Sequence, residues 1–148
     1  MSALADALAL LSLTADEVLR RLGPGVEDDP ESDYEGLEDV RELNNRTVFP
    51  GSVYLRDGRV VLVYLPRSAV EGLDRATLEQ ELLAAGATSE PVRLRSRAGK
   101  KASMYVRAGD GVAYSADANR VHFIEVFAPS SLDDYRTGIY VEPGKFVR

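Results

Sequence analysis

His122 is the only histidine in the 148-residue chain and the first candidate for chemistry. It lies in residues 121–127, where apolar side chains follow a strand pattern and place His122 on the same face as Ile124 and Val126. A hydrolytic triad or a histidine metal site needs more partners than one imidazole, and no cysteine is present to complete one. We therefore interpret His122 as a structural, half-buried strand residue rather than a catalytic base.

Acidic residues form two further candidate sites. One short segment contains five possible oxygen ligands for calcium: Asp28, Asp29, Glu31, Asp33 and Glu35. The EF-hand pattern requires glycine at its sixth position, but a count from Asp29 finds Tyr34 there, so the pattern fails. Glu125 and Glu142 are the carboxylates available for glycoside chemistry, and nothing in the sequence pairs them. We expect no metal site, no cofactor and no enzymatic activity; an enzyme would require a cleft joining His122 to distant acids.

The distribution of charge is more informative. Residues 1–90 contain 18 acidic and 8 basic residues, a net charge of −10, whereas residues 91–148 contain 6 acidic and 10 basic residues, a net charge of +4. Between residues 92 and 97 basic residues alternate with apolar or small ones, which predicts that Arg93, Arg95 and Arg97 share one strand face. The predicted binding surface comprises Arg93, Arg95, Arg97, Lys100, Lys101, Tyr105, Arg107 and Tyr114.

This surface is compatible with two kinds of partner. Tyrosine and arginine are favoured anchors at protein interfaces, which makes another protein the leading expectation. Single-stranded nucleic acid is the alternative, because arginines neutralise phosphates and tyrosines stack on bases. The whole chain, however, has a net charge of −6 and an isoelectric point near 4.9, unlike dedicated nucleic-acid binders. Basic residues also guard sheet edges, and the acidic segment could instead dock on the basic face within one molecule or in a homodimer.

Two helices are predicted from capping and periodicity. Thr14 and Glu17 have capping-box spacing, and Gly23 with Pro24 ends the first helix. The second helix spans residues 74–86. The two predicted helices have similar residues at a separation of 60 positions in the chain. The four matched pairs are Leu13 with Leu73, Thr14 with Asp74, Val18 with Leu78 and Leu22 with Leu82. This match has two explanations: residues 10–66 and 70–142 are half-repeats, or four such positions arise from the general design of capped amphipathic helices.

Strands are predicted after each helix. The Asp57-Gly58 turn between residues 52–56 and 59–65 indicates a hairpin. Further strands are predicted at residues 92–97, 102–107, 112–115, 121–127 and 138–141. Residues 27–42 contain nine acids and one base and are interpreted as an irregular acidic excursion, in which residues 37–43 could form a short strand or a helical turn. These elements predict one α+β domain over residues 1–148, an antiparallel meander sheet with two or three short helices packed on one face.

Composition and apolar stretches indicate the cellular compartment in which the protein is expected. Its length matches a single domain, and the lack of cysteine fits a reducing compartment. The longest apolar stretch, residues 7–13, is too short to span a bilayer, and no basic residue precedes it as in a signal peptide. We read it as a helix or the approach to one. We expect a cytoplasmic protein without membrane attachment.

Residues 13–65 resemble the repeat unit of small outer-membrane assembly lipoproteins and of the β-lactamase inhibitor protein. The similarity rests on the helix from Thr14 to Pro24 and on the strands around Asp57-Gly58. It implies a helix-on-sheet module that works by binding another protein. Without cysteine, the chain has neither the lipidation site nor the disulfides of that group, so membrane anchoring is not implied.

The order of helix, strands, helix and strands is also similar to that of secretion-chaperone-like folds, which are dimers that grip extended segments of a partner. Those folds close with a third helix, for which only residues 130–136 are available here. The leading prediction is a non-enzymatic protein-binding module, followed by a nucleic-acid-binding accessory protein and by such a chaperone-like dimer.

Overall fold

A computed structural model describes residues 3–34 and 37–143. The first half contains α1 (Ala3–Leu11), α2 (Ala15–Leu22), β1 (Glu27–Tyr34), β2 (Leu37–Asn45), β3 (Phe49–Arg56) and β4 (Arg59–Leu65). The second half contains α3 (Arg75–Ala84), β5 (Val92–Arg95), β6 (Ser103–Arg107), β7 (Val112–Ala116), β8 (Val121–Val126) and α4 (Leu132–Gly138). Glu35, one of the residues considered as a calcium ligand, lies outside the described ranges, as does the side chain of Asp33.

The strands of this part of the chain form one antiparallel sheet in the order β1-β2-β3-β4-β8-β7-β6-β5. Each half contributes a four-stranded meander, and the halves join where Val63 pairs with Val126 and Leu65 pairs with Ile124. The predicted α+β class and antiparallel meander are confirmed. Because the final strands of the halves meet in the middle, β1 and β5 become the two edges of the sheet.

Two hydrophobic clusters lie on opposite faces of the sheet. The helix face is covered by α1, α2 and α3, whose Leu10, Leu22 and Leu78 are almost completely buried. The opposite face holds a second cluster and α4, whose Tyr135 ring stacks 5.1 Å from that of Phe127. Packing of helices on one face is therefore confirmed for three helices, and α4 is an addition on the other side.

Local hydrogen bonds explain where the helices begin. At α2 the Thr14 amide donates to the Glu17 carboxylate at 3.0 Å, and the Glu17 amide donates to the Thr14 hydroxyl at 3.3 Å, which completes the predicted capping box. At α3 the Asp74 carboxylate accepts from the Thr77 amide at 2.7 Å. Gly23 ends α2 with a φ of 73°, a conformation that glycine adopts without strain.

The two halves share more than the order of their elements. Each helix-capping residue forms an isolated antiparallel bridge with the start of the last strand of its own half, Thr14 with Arg59 and Asp74 with Arg120. In both cases the amide that follows the capping residue donates to the carbonyl that precedes its bridge partner, at 3.2 and 2.8 Å. These matched contacts favour an internal duplication, which stays a prediction.

The interpretation of residues 27–42 as irregular is corrected. Residues 27–34 and 37–45 form paired strands, and β2 is held by burial on both faces of the sheet: Leu43 lies in the cluster on the helix face, Leu37 and Val40 in the cluster on the opposite face. The acidic residues are tolerated since β1 is an edge strand with water on its free side. Pro30 lies where the pairing with β2 shifts register, a position in a sheet where proline is accepted.

The strand predicted at residues 138–141 is also corrected. Helix α4 ends at Gly138, and no regular element is assigned to residues 139–143. The Ser131 hydroxyl accepts from the Asp134 amide at 3.1 Å, so a capped helix begins earlier than the strand pattern suggested. As a result Tyr140 lies in an irregular segment beside the sheet.

Replacing the capping threonine tests the local basis of the fold. Thr14→Ala is expected to reduce the free energy of unfolding by about 1 kcal/mol, because the amide of Glu17 loses its acceptor. The melting temperature should fall by about 2–4 °C. Thr77→Ala, an exposed helical threonine without a side-chain capping role, is the control. Equal melting temperatures for both variants would show that the capping box does not contribute.

Candidate functional site

Four of the predicted binding residues remain on the surface at the β5 edge of the sheet. Arg93 and Arg95 are exposed and pair across the strands with Tyr105 and Ser103, so both point to the helix face. Lys100 and Lys101 are exposed in the turn that leads into β6. We call Arg93, Arg95, Lys100 and Lys101 the basic edge.

Arg97 does not belong to this face, which corrects the predicted stripe of three arginines. Strand β5 ends at Arg95, and the Ser96 hydroxyl then bonds the hydroxyl of Ser115 at 2.6 Å. The chain turns there, and Arg97 crosses to the opposite face, where it donates to the Tyr34 hydroxyl at 2.6 Å. Its guanidinium lies 4.3 Å from the centre of the Phe123 ring.

Arg107 and Tyr114 are not available to a partner, which corrects two further residues of the predicted surface. Only 6% of Arg107 is exposed and none of Tyr114 is, because both lie beneath α3. Arg107 donates to the Glu79 carboxylate at 2.6 Å, and the Tyr114 hydroxyl donates to the same carboxylate. These bonds outweigh the effect of burial, which raises the pKa of Glu79, and hold that pKa below its ordinary value.

Tyr105 is half-buried and its ring is already engaged. It stacks on Tyr114 with centroids 5.3 Å apart, and the guanidinium of Arg75 lies 4.0 Å from its centre. A nucleic-acid base would have to displace one of these neighbours in order to stack on Tyr105.

Arg136 and Tyr140 join the site although the sequence did not predict them. With the β5 edge they line a cleft of about 550 Å³. The Tyr140 hydroxyl donates to the Arg95 carbonyl at 2.7 Å and lies 3.1 Å from the Glu142 carboxylate. The serine cap before α4 was the sequence signal that could have placed Arg136 on a helix and Tyr140 after it.

Glu125, considered in the sequence as half of a carboxylate pair, is fully buried on the opposite face. It accepts hydrogen bonds from the hydroxyls of Tyr34 and of Tyr135, the latter at 2.6 Å, and lies 3.7 Å from the Arg97 guanidinium. Burial raises the pKa of Glu125, and the hydrogen bonds and Arg97 lower it only in part. Glu142 instead approaches the hydroxyl of Tyr140, so these two carboxylates belong to different networks.

His122 is only partly exposed, and both of its ring nitrogens are engaged. Arg67 donates to Nδ1 at 2.7 Å, which leaves the ring proton on Nε2, 3.3 Å from the Asp117 carboxylate. Neither nitrogen is then free to accept a proton from a substrate. Within residues 3–34 and 37–143 no group of three or more histidine, aspartate or glutamate side chains could hold a metal ion.

No helix in the described ranges is both long enough and apolar enough to cross a membrane. Comparison with known proteins found no matching family model, no matching curated protein and no matching solved structure. The resemblance of residues 13–65 to the lipoprotein and inhibitor repeat therefore stays a prediction.

The buried carboxylate predicts a specific pH dependence of stability. Since the folded-state pKa of Glu125 is raised, its contribution to stability is fully present below its unfolded pKa, near 4.5, and is lost as pH rises through the folded pKa. Glu125→Gln stays neutral and avoids this loss. We expect the free energy of unfolding of the variant, relative to wild type, to increase from pH 4.5 to pH 8.

Urea unfolding at each pH measures this difference. Glu71→Gln, at an exposed glutamate, is the control and should give a constant difference from wild type. A difference for Glu125→Gln that falls as the pH rises would mean that the folded state stabilises the ionised carboxylate.

Proposed function

We propose that this chain is a non-enzymatic protein-binding module that contacts its partner through the basic edge. The observation that supports the proposal is a set of exposed cations at the open edge of the sheet that have no acidic partner among the described residues. In the part of the chain that the structure describes, no acidic group lies in an ion pair with Arg93, Arg95, Lys100 or Lys101. By contrast, Arg41, Arg97 and Arg107 each lie within ion-pair distance of a carboxylate.

The unpaired edge of β5 is a second observation that supports the proposal of a protein partner. Strand β5 is last in the sheet order, so one side of its backbone faces no other strand of the described chain. Backbone groups on such an edge can pair with an extended segment of another protein. Arginines beside the edge can then add specificity by contacting acidic side chains.

Two observations weigh against the other functions considered. The aromatic rings that would stack on bases are buried or engaged, since Tyr114 lies under α3 and Tyr105 contacts Tyr114 and Arg75, which disfavours nucleic acid. The contacts of both nitrogens of His122, with Arg67 and with Asp117, support a role without proton transfer. Cytoplasmic location, a homodimer and the chaperone-like dimer stay predictions.

Charge reversal at the edge tests the proposal. Tagged wild-type protein and the double variant Arg93→Glu/Arg95→Glu are incubated with an extract of the native organism, and captured proteins are identified by mass spectrometry. We expect the variant to lose most of the proteins that wild type captures reproducibly. Its melting temperature should stay within about 2 °C of wild type, since changes at exposed positions have small effects on stability.

Arg21→Glu/Arg59→Glu is the matched control, because it changes the net charge equally at two exposed arginines of the first half. This control should capture the same proteins as wild type. If the edge variant also retained every captured protein, the basic edge would not be the contact region. Equal losses in the two variants would indicate a response to overall charge rather than to this site.

A further inference from the structure

The cleft beside β5 lies where an added strand would run. Its walls come from the strand itself, from the turn around Lys100 and from α4 with the segment that follows it. The four residues of β5 extend about 13 Å, enough for a partner segment of four to five residues. The cleft and the free backbone of an edge strand thus coincide.

The charge of the cleft indicates the chemistry of its occupant. Arg93, Arg95, Lys100 and Arg136 line it, and Glu142 is the acidic residue among the lining residues. Among the described residues none of the four cations is in an ion pair, although the Arg93 Nε donates to the Ser103 hydroxyl at 3.0 Å. Four unpaired cations against one carboxylate favour a ligand with several negative charges.

The spacing of the arginines indicates how those negative charges are arranged. Arg93 and Arg95 point to the same face and are two residues apart along β5. On a paired strand the side chains that meet them are also two residues apart. A segment with an acidic residue at every second position can therefore place one carboxylate beside each arginine.

Tyr140 occupies the hydrogen-bonding position that an added strand would use. Its single hydroxyl proton has two possible acceptors, the Arg95 carbonyl at 2.7 Å and the Glu142 carboxylate at 3.1 Å. Partial burial and the nearby Glu142 raise the pKa of Tyr140 to about 12, so the proton is retained at neutral pH. If an incoming amide bonded to the Arg95 carbonyl, this hydroxyl could turn to Glu142 and remain hydrogen-bonded.

From this arrangement we infer that the β5 cleft binds an extended partner segment with acidic residues at alternate positions, which pairs with β5 as an added strand while its carboxylates contact Arg93 and Arg95. This inference rests on the proposed function and names the chemistry of the partner. Tyr140 covers the Arg95 carbonyl in the free protein and is displaced on binding.

A synthetic peptide tests the inference directly. The probe is a fluorescent nine-residue peptide in which glutamate alternates with valine, and binding is measured by fluorescence anisotropy. We expect binding to wild type and to the Arg21→Glu/Arg59→Glu control, with affinity reduced about tenfold or more by Arg93→Glu/Arg95→Glu. Tyr140→Phe should tighten binding a few-fold, because it removes the hydroxyl that competes for the Arg95 carbonyl.

Two further peptides distinguish strand pairing from simple electrostatic attraction. Both have the same sequence as the first, but alternate backbone nitrogens are methylated, so that each keeps every carboxylate and loses the amide donors on one side. We expect two such peptides, methylated on the odd or on the even amides, to bind unequally, and the weaker one at least tenfold below the parent. Equal binding of all three peptides would overturn strand addition.

Nucleic acid or a second copy of the chain in the β5 cleft would give different binding results. Displacement of the peptide by an oligonucleotide of equal charge at the same concentration would overturn the assignment to a protein segment. Concentration-dependent self-association that Arg93→Glu/Arg95→Glu abolishes would show that a second copy of the chain occupies the cleft, and would also overturn it.

Peptide binding and capture from extract together distinguish a wrong inference about acidic strands from a wrong proposal about the basic edge. If the peptides do not bind but the edge variant loses the proteins captured from extract, the basic edge is a protein-binding site and the inference about acidic strands is wrong. If the edge variant captures the same proteins as wild type, the proposed function fails whatever the peptides do.

Discussion

A carboxylate removed from water must be neutralised or hydrogen-bonded, and this constraint engages two of the arginines predicted for the binding surface, Arg97 and Arg107. Glu125 on one face of the sheet attracts Arg97, and Glu79 under α3 attracts Arg107 together with Tyr114. The residues that satisfy these carboxylates cannot also serve a partner. Arg93, Arg95, Lys100 and Lys101 form no such ion pair within the described ranges and remain exposed, so the candidate site lies at the β5 edge.

The sheet topology places the two kinds of charge at opposite edges. Because the halves join through their last strands, the acidic strand β1 becomes one edge and the basic strand β5 the other. Each edge would repel a copy of itself, which limits uncontrolled pairing between sheets. Pro30 and the register shift make β1 a poor template for strand addition, whereas β5 has neither feature. The basic edge is therefore the better candidate for pairing with another protein.

Local sequence patterns predicted much of the fold correctly. The predictions that were wrong concern residues whose structure depends on contacts distant in sequence. The capping box at Thr14 and the Asp57-Gly58 turn are local devices, and both were predicted. Strand β1 was missed because its acidic residues suggest a loop, and only its position at the sheet edge explains them. Alternation placed Arg93 and Arg95 correctly but failed at Arg97, since the strand ends before it. No sequence pattern could show that Arg107 meets Glu79, which is 28 residues away.

The most direct test of this account is the reactivity of individual arginines in the folded protein. Labelling with phenylglyoxal, followed by mass spectrometry of the peptides, measures each rate in the native and the urea-unfolded chain. We expect Arg93 and Arg95 to react nearly as fast in the native as in the unfolded protein, and Arg107 to react only after unfolding. Native-state reaction of Arg107 at the rate of Arg95 would contradict the division between structural and surface arginines, and with it the location of the proposed site.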